Sequence, residues 1–107
     1  MTDFKDRERA EEAKFAMDAD TAFRVSARRN RLLGHWAAEQ MGLSAEETEA
    51  YAKSVIQADF EESGDEDVIR KVLGDLIAAG VDTNEAAVRA ALGEKAVEAK
   101  RQLMSES

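Results

Sequence analysis

The sequence predicts an all-α protein, and three observations carry that reading. Alanine, glutamate, leucine, lysine and arginine are plentiful while β-branched and aromatic residues are sparse. Gly42, Gly64 and Gly80 each close an apolar-periodic segment, as a glycine just past a helix end does. After each comes a start signal: Ser44 stands three residues before Glu47, Ser63 three before Glu66, and Asp82 three before Glu85. That spacing lets a side-chain oxygen meet the third backbone amide of a new helix. The punctuation predicts helices over 20–41, 44–62, 65–79 and 83–104.

Each segment carries an apolar stripe when its residues are placed about 100° apart. On the first, Ala22, Val25, Leu32, Leu33 and Trp36 form the stripe, with Met41 near its end; the second offers Ala52, Val55, Ile56 and Phe60. The third carries Val68, Ile69, Val72, Leu73 and Leu76. The fourth has Val88, Leu92, Ala96, Ala99 and Leu103, with a second stripe of Ala86, Ala90, Val97 and Met104 behind it. Short one-sided helices joined by two to four residues cannot bury these stripes alone, so they are expected to pack as a four-helix domain with antiparallel neighbours.

Bulk properties narrow the function. A chain of 107 residues without cysteine has neither a disulfide framework nor a thiolate metal site, and one histidine cannot supply the usual imidazole sets. The N-terminus is charged from Asp3 onward and no apolar run is long enough to span a membrane, which predicts a cytoplasmic protein without direct membrane insertion. A net charge of −8 repels nucleic acid at long range. His35 has no nucleophile beside it, so no catalytic residue and no enzyme is expected. The acidic run Asp59, Glu61, Glu62, Asp65, Glu66 and Asp67 lacks the alternate spacing of a calcium loop, and no metal or required cofactor is expected.

Two charges interrupt the apolar stripes. Arg29 falls among Val25, Leu32, Leu33 and Trp36, and Asp59 among Ala52, Val55 and Ile56, so both point inward. One reading is a structural ion pair across adjacent helices. The other is a small anion site, with ATP or ADP as a regulatory ligand of Arg28, Arg29, Trp36, Tyr51 and Asp59. Arg24, Arg28, Arg31 and His35 form a basic strip along another side of the first helix. That strip reads either as a docking surface or as a solvated face paired with the acidic run.

The N-terminal segment differs from the rest. Asp3 to Lys14 is dominated by charges of both signs, with Phe4, Ala10, Ala13 and Phe15 as its apolar residues. Phe4 and Phe15 are eleven positions apart and share one face of a helix after three turns. Such a segment suits either a solvated extension or an arm that folds on a partner groove.

The motifs Asp6-Arg7-Glu8, Ala13-Lys14-Phe15-Ala16, Arg28-Arg29-Asn30-Arg31-Leu32-Leu33-Gly34, Trp36-Ala37-Ala38-Glu39 and Asp59-Phe60-Glu61-Glu62 occur in order, the last followed by Gly64-Asp65-Glu66-Asp67-Val68. Together they resemble the zeta subunit, the ATPase-inhibitor subunit, of alphaproteobacterial F-type ATP synthases. The resemblance implies a mobile inhibitory arm over 1–19 and a four-helix domain over 20–107. It implies that the arm, through Phe4, Arg7, Glu8, Ala10, Ala13, Lys14, Phe15 and Met17, folds into a subunit interface of the catalytic head. There it blocks rotation in the hydrolytic direction. The implied partners are the alpha, beta and gamma subunits, which would keep the protein peripheral to the inner membrane. The chain departs from the family pattern at Glu11 and Met17, where an aromatic residue and a histidine are common. Loss of an apolar anchor at 11 costs on the order of 1–3 kcal/mol of binding if that position is buried in the complex. Without a histidine at 17 the arm lacks a group that titrates near neutral pH.

Overall fold

A computed structural model describes residues 19–61 and 64–106, with only the backbone described for Ala19, Phe60 and Glu61. The expected arm and its contact residues Phe4, Arg7, Glu8, Ala10, Ala13, Lys14, Phe15 and Met17 lie outside the described residues, as does Ser63. Among the described residues there are four helices and no strand: α1 (Ala19–Met41), α2 (Ala45–Glu61), α3 (Asp65–Ala78) and α4 (Glu85–Glu106).

Local chemistry sets the ends of these helices. Ser44 caps α2 reciprocally: its Oγ accepts from the Glu47 N–H at 3.1 Å, and its own N–H donates to Glu47 Oε1 at 2.9 Å. The bond from the Ser44 N–H, then that with its side chain, lowers the Glu47 pKa from its ordinary value. Gly42 and Gly80, at φ 72° and 84°, adopt the left-handed conformation that ends α1 and α3. The following amides of Leu43 and Val81 then reach back to the carbonyls of Ala38 and Leu76, the six-to-one bond of a glycine-closed helix end.

Gly64 holds the cap position of α3, where no side chain bonds the amides, and the close of α2 beyond Glu61 lies outside the described residues. One expected boundary differs. Helix α4 starts at Glu85, because Asn84 Oδ1 accepts from the Ala87 N–H at 2.9 Å. Asn84, not Asp82, supplies the capping oxygen, and it meets the Ala87 amide two residues beyond the expected one, so the preceding loop is two residues longer.

Helix α1 is central. It packs most extensively on α2 and α4, while α3 lies against α2 and α4 and touches α1. Gly34 meets Ala52, and Asn30, one turn earlier, meets Asp59, one to two turns later, so α1 and α2 run antiparallel. Arg28 reaches Gln102 and Glu106 near the end of α4, which sets α4 antiparallel to α1 as well. The core contains Leu33, Ala37, Val55, Val68, Ile69, Val72, Leu76, Val88, Ala91 and Leu92. Burying a Val, Leu or Ile side chain of this kind contributes roughly 1.5–3 kcal/mol.

The stripes hold with instructive exceptions. Val25, Leu32, Ile56, Leu73, Ala96 and Leu103 are half-buried, and Trp36, Met41 and Tyr51 pack on the core from its edge. Ala22 is exposed, because the first turns of α1 lack a covering helix on that side. Ala37 and Ala38, absent from the expected stripe, are fully buried at the close α1 packing. The second α4 stripe, Ala86, Ala90, Val97 and Met104, is exposed. It lies about half a turn around the helix from Val88 and Leu92, and α4 has neighbours on one side only.

Candidate functional site

The polar groups that enter the bundle converge between α1 and α2. Arg29 and Asp59 come together as their stripes require, with Nη2 3.7 Å from Oδ2 and side chains 12 % and 21 % exposed. Arg29 also donates from Nη1 to Asp65 Oδ1 at 2.9 Å, at the start of α3, and from Nε to Asn30 Oδ1 at 3.0 Å. Asn30 completes the seam by donating Nδ2 to Asp59 Oδ2 at 2.9 Å, and at 1 % exposure it is the buried polar residue of the fold. One guanidinium thus faces two carboxylates and an amide oxygen, and its charge is locally neutralised.

Asn30 was missing from the sequence-based candidates, although a signal existed. It sits at i−3, i−4 and i−7 from Leu33, Gly34 and Ala37, all buried, so helical periodicity places it on the α2-facing side. Truncating Asn30→Ala is expected to lower unfolding free energy by about 1.5 kcal/mol, since it leaves a buried carboxylate and guanidinium short of partners. Asp59→Asn is expected to cost about 1 kcal/mol, because Arg29 keeps Asp65. Urea unfolding measures both, and an Asp59→Asn protein as stable as the parent would show that the acid is not coupled to the seam.

The aromatic residues suggested for an anion site lie elsewhere. Trp36 is seven positions along α1 from Arg29, roughly 10 Å by helical rise, and packs on the core. The Tyr51 hydroxyl donates to Asp75 Oδ2 at 2.9 Å, and Lys71 Nζ lies 3.1 Å from the same oxygen and 5.3 Å from the Tyr51 ring centroid. Burial, then the bond to Asp75, raises the Tyr51 pKa far above its ordinary value, so the phenol stays protonated. Arg28 turns to the opposite flank and donates to Gln102 Oε1 and Glu106 Oε1, each at 3.0 Å. The structure thus unites Arg29 and Asp59 but does not gather Arg28, Trp36 and Tyr51 around them.

The basic strip is paired, but with acids other than the expected run. Arg24 lies 3.4 Å from Asp20, Arg28 3.0 Å from Glu106 and Arg31 3.3 Å from Glu49. His35 Nε2 is 3.2 Å from Glu49 Oε1 without the alignment of a hydrogen bond. Of the expected acids, Glu61 and Glu62 have no described side chain, and the others sit at the α2–α3 corner, where Asp59 and Asp65 hold Arg29, Asp67 pairs with Arg70, and Glu66 binds Arg89 of α4. The strip faces the start of α2 and the end of α4, out of reach of that corner.

Among the described residues no group of three His, Asp or Glu side chains is placed to hold a metal ion, and no helix is long and apolar enough to cross a membrane. A small helical bundle with a saturated polar seam and grooved, charged flanks has the build of a protein that binds other macromolecules. The chain belongs to the ATPase inhibitor subunit zeta family, whose model matches residues 1–102. It is also similar to a protein whose structure was solved in solution by NMR, with 52 % identity, a TM-score of 0.70, and coverage of 79 % of this chain and 96 % of the other. Comparison with curated proteins gives no match.

Proposed function

We propose that the protein restrains ATP hydrolysis by the F-type ATP synthase, with residues 1–19 as the inhibitory arm and the helical domain from 20 onward as its anchor. The family match carries this reading, since it runs without a break from the charged N-terminal segment through all four helices. The arm folds as a helix into an interface between subunits of the catalytic head, in contact with its alpha, beta and gamma subunits, and obstructs rotation in the hydrolytic direction. Phe4, Arg7, Glu8, Ala10, Ala13, Lys14, Phe15 and Met17 make that contact. The protein then works in the cytoplasm, peripheral to the inner membrane through the synthase. The other reading, a module sensing ATP or ADP, has less support, because Arg29 is already held by Asp59, Asp65 and Asn30.

ATP hydrolysis by the isolated catalytic head, measured with and without the full chain, tests the proposal. The expected result is a saturable fall in hydrolysis at micromolar protein or below. Undiminished hydrolysis at concentrations where the two proteins demonstrably associate would remove inhibition from the reading.

A further inference from the structure

A furrow runs along the first three turns of α1. Two clefts, of about 360 and 420 Å³, share Phe23, Ala27 and Ile56 and so form one depression. One wall ends at Asn30 and Asp59, whose polar atoms are committed to each other and to Arg29. The other wall carries Arg24, Arg28 and Arg31, with Leu103 and Glu106 from the end of α4. Phe23 stands in the middle at 50 % exposure, a large apolar surface left accessible at the open end of the bundle.

The furrow gathers arginines on a molecule of acidic balance, each of them paired with a carboxylate. The chain carries a net charge of −8, yet three arginines line one wall. Their present partners are exposed carboxylates: Asp20 is 75 % exposed, Glu106 55 % and Glu49 49 %. Pairs of this kind contribute little, so carboxylates of a binding partner can take them over at small cost.

We infer that this furrow is the surface by which the domain grips the catalytic head, and that its occupant is an acidic surface presenting an apolar side chain beside Phe23. The inference rests on the proposed inhibitory role and adds the attachment surface to it. The apolar side chain fills the space between Phe23, Ala27 and Ile56, and neighbouring carboxylates pair with Arg24, Arg28 and Arg31. Apolar burial at the centre sets the dissociation rate, while the arginines speed encounter with an acidic surface.

Full-length protein and isolated catalytic head, followed by surface-plasmon kinetics at several salt concentrations, supply the test. Phe23→Ala is expected to raise Kd about tenfold, mainly through faster dissociation. Arg24→Glu is expected to slow association several-fold and flatten its salt dependence. Both positions are exposed, so melting temperatures close to the parent should confirm an intact fold. Val97→Glu, on the exposed far face of α4, is expected to leave Kd unchanged. A parent chain that neither binds nor inhibits would overturn the inhibitory role and the inference with it. A parent that inhibits while Phe23→Ala and Arg24→Glu bind as it does overturns the inference alone. Two further results also overturn it: Phe23→Ala abolishing self-association, which would make the occupant a second copy, or perturbing residues 1–18 of the free chain by NMR, which would make it the protein's own arm.

Discussion

A chain beginning at Thr21 is expected to bind the catalytic head while leaving ATP hydrolysis uninhibited. The segment it lacks is short and charged, and it gains little by folding alone because helix nucleation is unfavourable and few of its residues are apolar. Under the proposed function the same segment would satisfy its helical backbone in a partner groove and bury Phe4 and Phe15 together, coupling its ordering to binding. The domain would then hold the arm near that groove and raise its effective concentration, which allows a weak arm to act. Truncation removes only Ala19 and Asp20 from α1, along with the exposed pair between Asp20 and Arg24, so the bundle should persist. Within the full chain, Phe15→Ala is expected to raise the concentration for half-inhibition roughly tenfold, as loss of a central apolar anchor does. Phe15 is the position to test because Ala13, Ala16 and Met17 extend its apolar footprint. Inhibition by the truncated chain equal to that of the intact protein would acquit the arm and move attention to Arg24, Arg28, Arg31 and His35.

The bundle was legible because its boundaries are written in short-range chemistry. Gly42, Gly80 and the reciprocal Ser44–Glu47 cap act within a few residues, so their spacing alone placed the close of α1, the start of α2 and the close of α3. The start of α4 was misplaced because Asp82 and Asn84 are both competent caps, and it is Asn84 that bonds the Ala87 amide. The encounter of Arg29 with Asp59 followed from two charges on two buried stripes. The third partner was overlooked because Asn30 is uncharged and does not interrupt a stripe as Arg29 and Asp59 do, although its spacing from Leu33, Gly34 and Ala37 places it on the α2-facing side. The pairing of the basic strip was hidden for a different reason. Which acids it meets depends on which helix ends lie beside α1, a property of the assembled bundle. The second stripe of α4 failed likewise, since both of its faces carry small or apolar residues and only the number of neighbours decides which is covered.

Gly34→Ala is expected to lower unfolding free energy by about 2 kcal/mol, although alanine is the better helix former by about 1 kcal/mol. Gly34 lies inside α1 and is buried against α2, where a Cβ would stand 2.7 Å from Ala52 Cα, 3.2 Å from its Cβ and 3.4 Å from its amide nitrogen. The obstructing atoms are backbone and a side chain of one carbon, so no rotamer change can relieve the clash; the helices must separate. Separation loosens what lies on either side of the contact. Asn30 would draw away from Asp59, and Leu33 and Ala37 from Val55. Overpacking of this kind typically costs about 1–3 kcal/mol, and here backbone stands in the way, which places the cost at the upper end and the net at about 2 kcal/mol once the gain in helix propensity is deducted. Gly74, in α3, supplies the control, since a Cβ there meets nothing within 4 Å. Gly74→Ala should therefore stabilise by about 0.5–1 kcal/mol through propensity alone. Urea unfolding of the two variants beside the parent measures both shifts, with opposite signs expected. If Gly34→Ala unfolds at or above the parent's midpoint, α1 and α2 do not approach at Ala52 as closely as the packing requires, and the seam from Asn30 to Asp59 would lose its geometric basis.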